Sequence, residues 1–116
     1  VNISIQGERN SVIKTNRFFW NLNTSNIELN TPLDINFENT TIYSSNGLYN
    51  IETARLKLNN NIFNRVIYNN DGYPSYRINI ISDLAKWLKE ENSLEFTSNN
   101  KQVQTTIDFL GVKQVR

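Results

Sequence analysis

Cysteine, histidine and methionine are all absent from the 116 residues, and there are only two prolines and four glycines. Without cysteine the chain has neither a disulfide framework nor a thiolate metal site. Without histidine it has no imidazole for zinc, for proton transfer near neutral pH or for a Ser-His-Asp triad. An enzyme is therefore not expected. A carboxylate pair of the glycosidase kind is the route left open, and no pair stands out. Charge of one sign is lacking too: 12 Lys and Arg face 11 Asp and Glu, a net +1. That balance gives no footprint for nucleic acid or an anionic membrane. No apolar run approaches the roughly 18 residues that cross a bilayer, so no membrane insertion is expected. The chain opens at Val1 without Met and without a signal-peptide pattern. That is how a mature form, or a domain cut from a larger multidomain protein, would begin.

What is present is asparagine, close to a fifth of the sequence. A genome rich in A and T would produce this without functional meaning. Asparagine also suits exposed turns and hydrogen bonds to sugar hydroxyls, because its amide both donates and accepts. The length fits a single domain over residues 1–116 with its own core. Alternation marks short strands at V-N-I-S-I-Q (Val1 to Gln6), Leu33 to Phe37, Tyr49 to Leu58, Ile62 to Tyr68, Tyr76 to Ile80, Leu94 to Phe96 and Thr105 to Val115. Asn59-Asn60-Asn61 reads as a tight connection between two of them, and Asn69-Asn70-Asp71-Gly72 as a strong turn. Gly111 marks a bulge or bend in the last strand. One segment has helical spacing: Ile80, Leu84, Trp87, Leu88 and Glu91, with Ser82 or Asp83 as N-cap and Asn92 as terminator. The pattern predicts an all-β antiparallel sandwich with one short helix near residues 82–91.

Three pieces of the second half carry a resemblance. A-R-L-K-L-N-N-N (Ala54 to Asn61) is similar to a V-x-V-N-G strand and turn. R-I-N-I-I-S-D-L-A-K-W-L-K-E-E-N-S-L-E-F (Arg77 to Phe96) is similar to I-D-I-T-x-x-L-K-x-G-x-N-x-L-x-F. T-I-D-F-L-G-V (Thr106 to Val112) is similar to N-I-D-Y-I-x-V. Together, over residues 50–116, they resemble the galactose-binding-like jelly-roll superfamily, which includes many carbohydrate-binding modules. The resemblance implies a jelly roll and a noncatalytic, lectin-like module that binds a polysaccharide or other glycan outside the cell or at its surface. The first half has no Y-E-A-E element, which supplies a structural calcium ligand in many such modules. No cofactor is therefore expected, and a structural calcium is left unsupported.

In that family sugars rest on aromatics in a loop resembling T-G-G-W-x-T-W. Asp71-Gly72-Tyr73-Pro74-Ser75-Tyr76 occupies the comparable place, with Tyr73 and Tyr76 as the aromatics. An aromatic ring offers a flat apolar face to a pyranose while its hydroxyl bonds a sugar hydroxyl. Asn70 and Asp71 would fix the orientation. Tyr49, flanking the S-S-N-G loop with Tyr43, is a candidate cleft residue. Asn99 and Asn100 are candidates in the loop before the closing strand, where the family carries Asn but this chain has Thr105 and Thr106. The packing alternative stands beside each: Tyr73 covering its own turn, Tyr76 facing the core, Tyr49 on an edge. Trp87 reads as core, and Trp20, beside Phe18 and Phe19, as core or sandwich edge rather than a sugar platform. The alternative for the whole chain is a structural or protein-interaction β-sandwich of a surface, adhesin, phage-tail or capsid protein.

Overall fold

A computed structural model of the chain describes residues 2–5, 11–88, 93–99 and 102–110. Among these residues the regular structure is all β. The eleven strands are β1 (Asn2–Ile5), β2 (Ser11–Thr15), β3 (Phe19–Trp20), β4 (Asn26–Leu29), β5 (Leu33–Phe37), β6 (Thr40–Ser44), β7 (Asn46–Asn50), β8 (Arg55–Tyr68), β9 (Pro74–Leu88), β10 (Ser93–Thr97) and β11 (Gln104–Phe109). Every pairing is antiparallel, and all the strands join one continuous curled sheet.

The sheet is built around one long hairpin. β8 and β9, of 14 and 15 residues, pair from Arg55↔Leu88 to Tyr68↔Pro74. Each outer edge of this ribbon is shared by two short strands. On the β8 edge, β7 takes Arg55 to Asn59 and β6 takes Ile62 to Arg65. On the β9 edge, β10 takes Leu84 to Leu88 and β11 takes Tyr76 to Ile81. One half of the sheet therefore gathers β3, β4, β7 and β10, and the other β1, β2, β5, β6 and β11. Curling brings the two halves into contact. Phe37 of β5 stacks on Trp87 of β9 at 4.6 Å between ring centroids, and Phe63 of β8 meets Phe96 of β10 edge-on at 5.2 Å. Between them lie Ile13, Leu29, Leu33, Ile35, Ile42, Leu56, Leu58 and Ala85, each almost fully buried. A large aliphatic side chain buried this way contributes about 1.5–3 kcal/mol, so this cluster is the main source of stability.

The ribbon changes which side it turns to the core halfway along. Leu56 and Leu58 point inward before Asn60, and Asn61 and Phe63 after it; on β9 the inward set is Ala85 and Trp87, then Ser82. Asn60 itself has φ of +55°, a left-handed conformation that Asn tolerates better than most residues. The crossing leaves polar backbone inside, and side chains satisfy it. Ser44 donates to Asn61 Oδ1 at 2.6 Å, while Asn61 Nδ2 donates to the Leu58 carbonyl at 3.0 Å and reaches Ser82 Oγ at 3.5 Å. Three strands are thereby tied together at the bend.

This switch overturns two sequence expectations. The helix near residues 82–91 is not formed: residues 82–88 belong to β9, and residues 89–91 lie outside the described residues. Inward positions at Ser82, Ala85 and Trp87 have spacings of three and two, and the three imitates a helical turn. Strand geometry prevails because β8 and β10 offer ladder partners along both edges of this segment. Likewise Asn59-Asn60-Asn61 is not a connection between strands. It is the middle of β8, and the turn lies earlier, at residues 51–54. The bend expected at Gly111, and Asn92, fall outside the described residues.

Two backbone positions are constrained. Gly47 packs so closely on β8 that a Cβ there would meet the Lys57 carbonyl oxygen at 2.9 Å. Ala54, which closes the turn into β8, has φ of +54°, a conformation that costs a non-glycine residue about 1–2 kcal/mol. Glycine relieves that cost but enlarges the freedom of the unfolded chain. Ala54→Gly is therefore expected to raise the unfolding free energy by about 0.5–1 kcal/mol, read as a higher urea midpoint at unchanged slope.

Candidate functional site at the hairpin end

The β8–β9 ribbon continues past the region that the opposite half covers. Its core-facing side is closed over Phe63 by Phe96, whereas Ile67 and Tyr76, paired across the two strands further out, are exposed. The ribbon ends in the turn of residues 69–73. Asn69 organises it: its backbone N–H donates to the Tyr73 carbonyl at 2.9 Å and its carbonyl accepts from Gly72 N–H at 3.0 Å. Its side-chain Oδ1 accepts from the N–H groups of both Asp71 (2.9 Å) and Tyr73 (3.0 Å). Gly72 supplies φ of +84°, which closes the turn without steric cost. The short polar side chain at the turn's first position thus fixes the backbone on which Tyr73 stands.

Tyr73 is 61% exposed. Asn70 and Asp71 are exposed beside it. Tyr68 and Pro74 face each other where the pairing shifts between Ile67 and Tyr68, and Tyr68 is half exposed. Tyr76 lies below the turn on the core-facing side of the ribbon but beyond the core, with its ring 5.6 Å from that of Phe109 on β11. Four of the seven candidates, Asn70, Asp71, Tyr73 and Tyr76, are therefore together at this end.

Tyr49 and Asn99 are elsewhere. Tyr49 lies on β7 between Ile27 and Leu56 and packs against the core, where burial pushes its phenol above its ordinary pKa. Asn99 is exposed in the β10–β11 connection, where its N–H donates to Asp83 Oδ2 at 3.1 Å. It adjoins a hollow of about 140 Å³ lined by Ile81, Ser82, Asp83, Ser98, Gln102 and Gln104. Asp83 lies seven strand positions beyond Tyr76, about 23 Å at strand rise, so Asn99 does not serve the hairpin end. Asn100 lies outside the described residues. Trp87 is core, as expected, and Trp20 takes the edge alternative, half exposed on the two-residue strand β3 at one end of the sheet.

Sequence reasoning passed over Tyr68 and Phe109. Both sit in alternating strand segments, where an aromatic residue reads as buried. The exposure of Phe109, paired with Tyr76 on the core-facing side, follows from β8 and β9 outrunning the opposite half, a property of strand lengths that local alternation does not encode.

Among the described residues no three His, Cys, Asp or Glu side chains group to hold a metal ion. Nor, among those residues, is any helix long and apolar enough to cross a membrane. The exposed groups at the hairpin end are rings, amides, one carboxylate and backbone. Such a set can stack and hydrogen-bond.

A scan of the chain against protein-family models finds no match, and a search of curated proteins finds none either. The class that fold and site define is an all-β protein: one curled antiparallel sheet carrying an exposed aromatic hairpin end.

Proposed function

We propose that this protein is a noncatalytic glycan-binding domain that engages its ligand at the free end of the β8–β9 hairpin. One observation carries the reading: Tyr73 stands exposed on a backbone held by four hydrogen bonds around Asn69, with Asn70 and Asp71 beside it. A backbone held in place before binding spares the cost of ordering the turn when a sugar stacks on the ring that it carries. Asn70 and Asp71 supply the donors and acceptors that sugar hydroxyls require. The near-neutral chain favours an uncharged polysaccharide over a strongly anionic one. In this reading the curled sheet is a jelly roll of the galactose-binding-like kind, working outside the cell or at its surface, and the ligand needs no metal.

A glycan array probed with the whole chain tests this. Retention on at least one neutral glycan is expected, with Tyr73→Ala weakening it tenfold or more. The loss corresponds to about 1.4 kcal/mol, the scale of one good aromatic contact. Because Tyr73 is exposed, its removal is expected to shift unfolding by less than about 0.5 kcal/mol. Silence across the array sinks the proposal.

A second reading, a protein-interaction domain of a larger surface, tail or capsid assembly, is favoured by one separate observation. All six residues of β11 are exposed, Ile107 and Phe109 among them.

A further inference from the structure

We infer that β11 is a self-pairing edge through which two copies of this chain associate, antiparallel and centred on Ile107. Three observations lead there. First, among the described residues β11 pairs with β9 alone, which leaves its other edge open to them. Second, Ile107 and Phe109 are 62% and 65% exposed, the most exposed large apolar side chains on the strands among the described residues. Third, of the features that blunt natural sheet edges the strand has its short length and a single charge, Asp108. It has no Pro, Lys or Gly, and its register with β9 runs unbroken from Gln104↔Ile81 to Phe109↔Tyr76.

The backbone selects the register. Leu110 N–H donates to the Ser75 carbonyl at 2.7 Å, which marks Leu110–Ser75 as a hydrogen-bonded pair. In an antiparallel ladder such pairs alternate. The same register therefore bonds Asp108 to Arg77 and Thr106 to Asn79, and turns the N–H and C=O groups of Thr105, Ile107 and Phe109 toward the open edge. A second copy centred on Ile107 uses all three. Ile107 meets Ile107 of the other copy, and Thr105 meets Phe109 at both ends. Each of these three pairings exchanges two N–H···O bonds. Centring on Thr106 instead leaves Phe109 without a partner residue inside the strand. Centring on Asp108 leaves Thr105 without one and sets Asp108 opposite Asp108 of the other copy, a like-charge pair that destabilises.

The side chains favour the same arrangement. Thr105, Ile107 and Phe109 share one side of the sheet and carry no charge, so a copy meeting itself there brings no like charges together. One edge contact buries less than the about 800 Å² per partner of a standard interface. The association is therefore weak, in the upper micromolar range, and strengthens wherever a larger assembly holds the copies close.

This contact does not depend on glycan binding. It gives the interaction reading a definite partner. A heterologous partner for β11 would still satisfy that reading if self-pairing fails.

The chain contains no cysteine, so single-cysteine variants report without background. Directly opposed Cα atoms in a hydrogen-bonded pair lie about 5.5 Å apart, within disulfide range. Under mild oxidation Ile107→Cys is expected to form an interchain disulfide at least tenfold faster than Thr106→Cys, which meets Asp108 of the other copy, or Tyr73→Cys on the turn. Sedimentation velocity from low-micromolar to near-millimolar concentration is expected to show the wild-type chain shifting from monomer to dimer. Ile107→Lys should hold it monomeric at an unchanged thermal midpoint, and Tyr73→Ala should leave the shift intact. A wild-type chain that stays monomeric throughout overturns the inference. So does a dimer that persists in Ile107→Lys, or equal disulfide rates at the three positions.

Discussion

Replacing Trp87 with Ala is expected to lower the free energy of unfolding by about 3–5 kcal/mol, the range for deleting a large buried aromatic. Trp87 is 3% exposed, and its ring lies nearly parallel to that of Phe37, 18° between planes. The two rings come from opposite halves of the curled sheet, so this contact closes the curl. Losing it removes both apolar burial and the stacking term of about 0.5–1.5 kcal/mol. Against a total stability of about 5–15 kcal/mol for an ordinary domain, the variant should be marginal at room temperature. Two neighbours sharpen the test. Leu84 is only partly buried, so Leu84→Ala should cost less than half as much, whereas a charge at fully buried Ala85, as in Ala85→Asp, should prevent folding. A helix over this segment, with Leu84, Trp87 and Leu88 inward, would give Leu84 the larger role. Urea unfolding of the variants distinguishes the two.

Asn61→Leu is expected to destabilise by about 2–3 kcal/mol even though Leu is more hydrophobic. Asn61 is 1% exposed and joins the Ser44 hydroxyl, the Leu58 carbonyl and Ser82 Oγ. Leucine fills a similar volume but leaves the Ser44 donor and the Leu58 acceptor buried and unpaired, and each such group costs about 1–3 kcal/mol. Transfer of the leucine side chain out of water offsets part of this, so the net lies below the sum. The account predicts coupling: with Ser44→Ala already present, Asn61→Leu should cost about 1 kcal/mol less than in the wild-type chain. Additive effects would mean the two side chains do not share a bond across the bend.

Much of the fold can be read from alternation alone. Leu33, Ile35 and Phe37 announce β5, and its inward set is the one the structure buries. The turn at residues 69–72 is equally plain, because Asn-Asn-Asp-Gly combines side-chain bonding to the backbone with tolerance of positive φ. What alternation hides is a change of face inside a strand. Asn60 breaks the parity of β8 without breaking its pairing, and the same shift on β9 presents the spacing of a helix. Three asparagines in a row invite a turn, and the pairing of Asn59 with Leu84 and of Asn61 with Ser82, in one register, keeps them within the strand. The candidate site was legible to the same degree. Tyr73 and its neighbours follow from turn chemistry, whereas Tyr49 and Asn99 were placed by proximity to loops and lie on other parts of the sheet. Phe109 was hidden because its exposure depends on how far the opposite half reaches.

The most direct test of glycan binding at the hairpin end is a titration of the isotope-labelled chain with a retained neutral glycan, following backbone amide resonances. The account predicts shifts concentrated on the amides of Tyr68 to Tyr76, saturating with ligand, and lost in Tyr73→Ala. Shifts centred on the Asp83–Asn99 hollow or on β3, or an unchanged spectrum with every glycan at millimolar concentration, would contradict it.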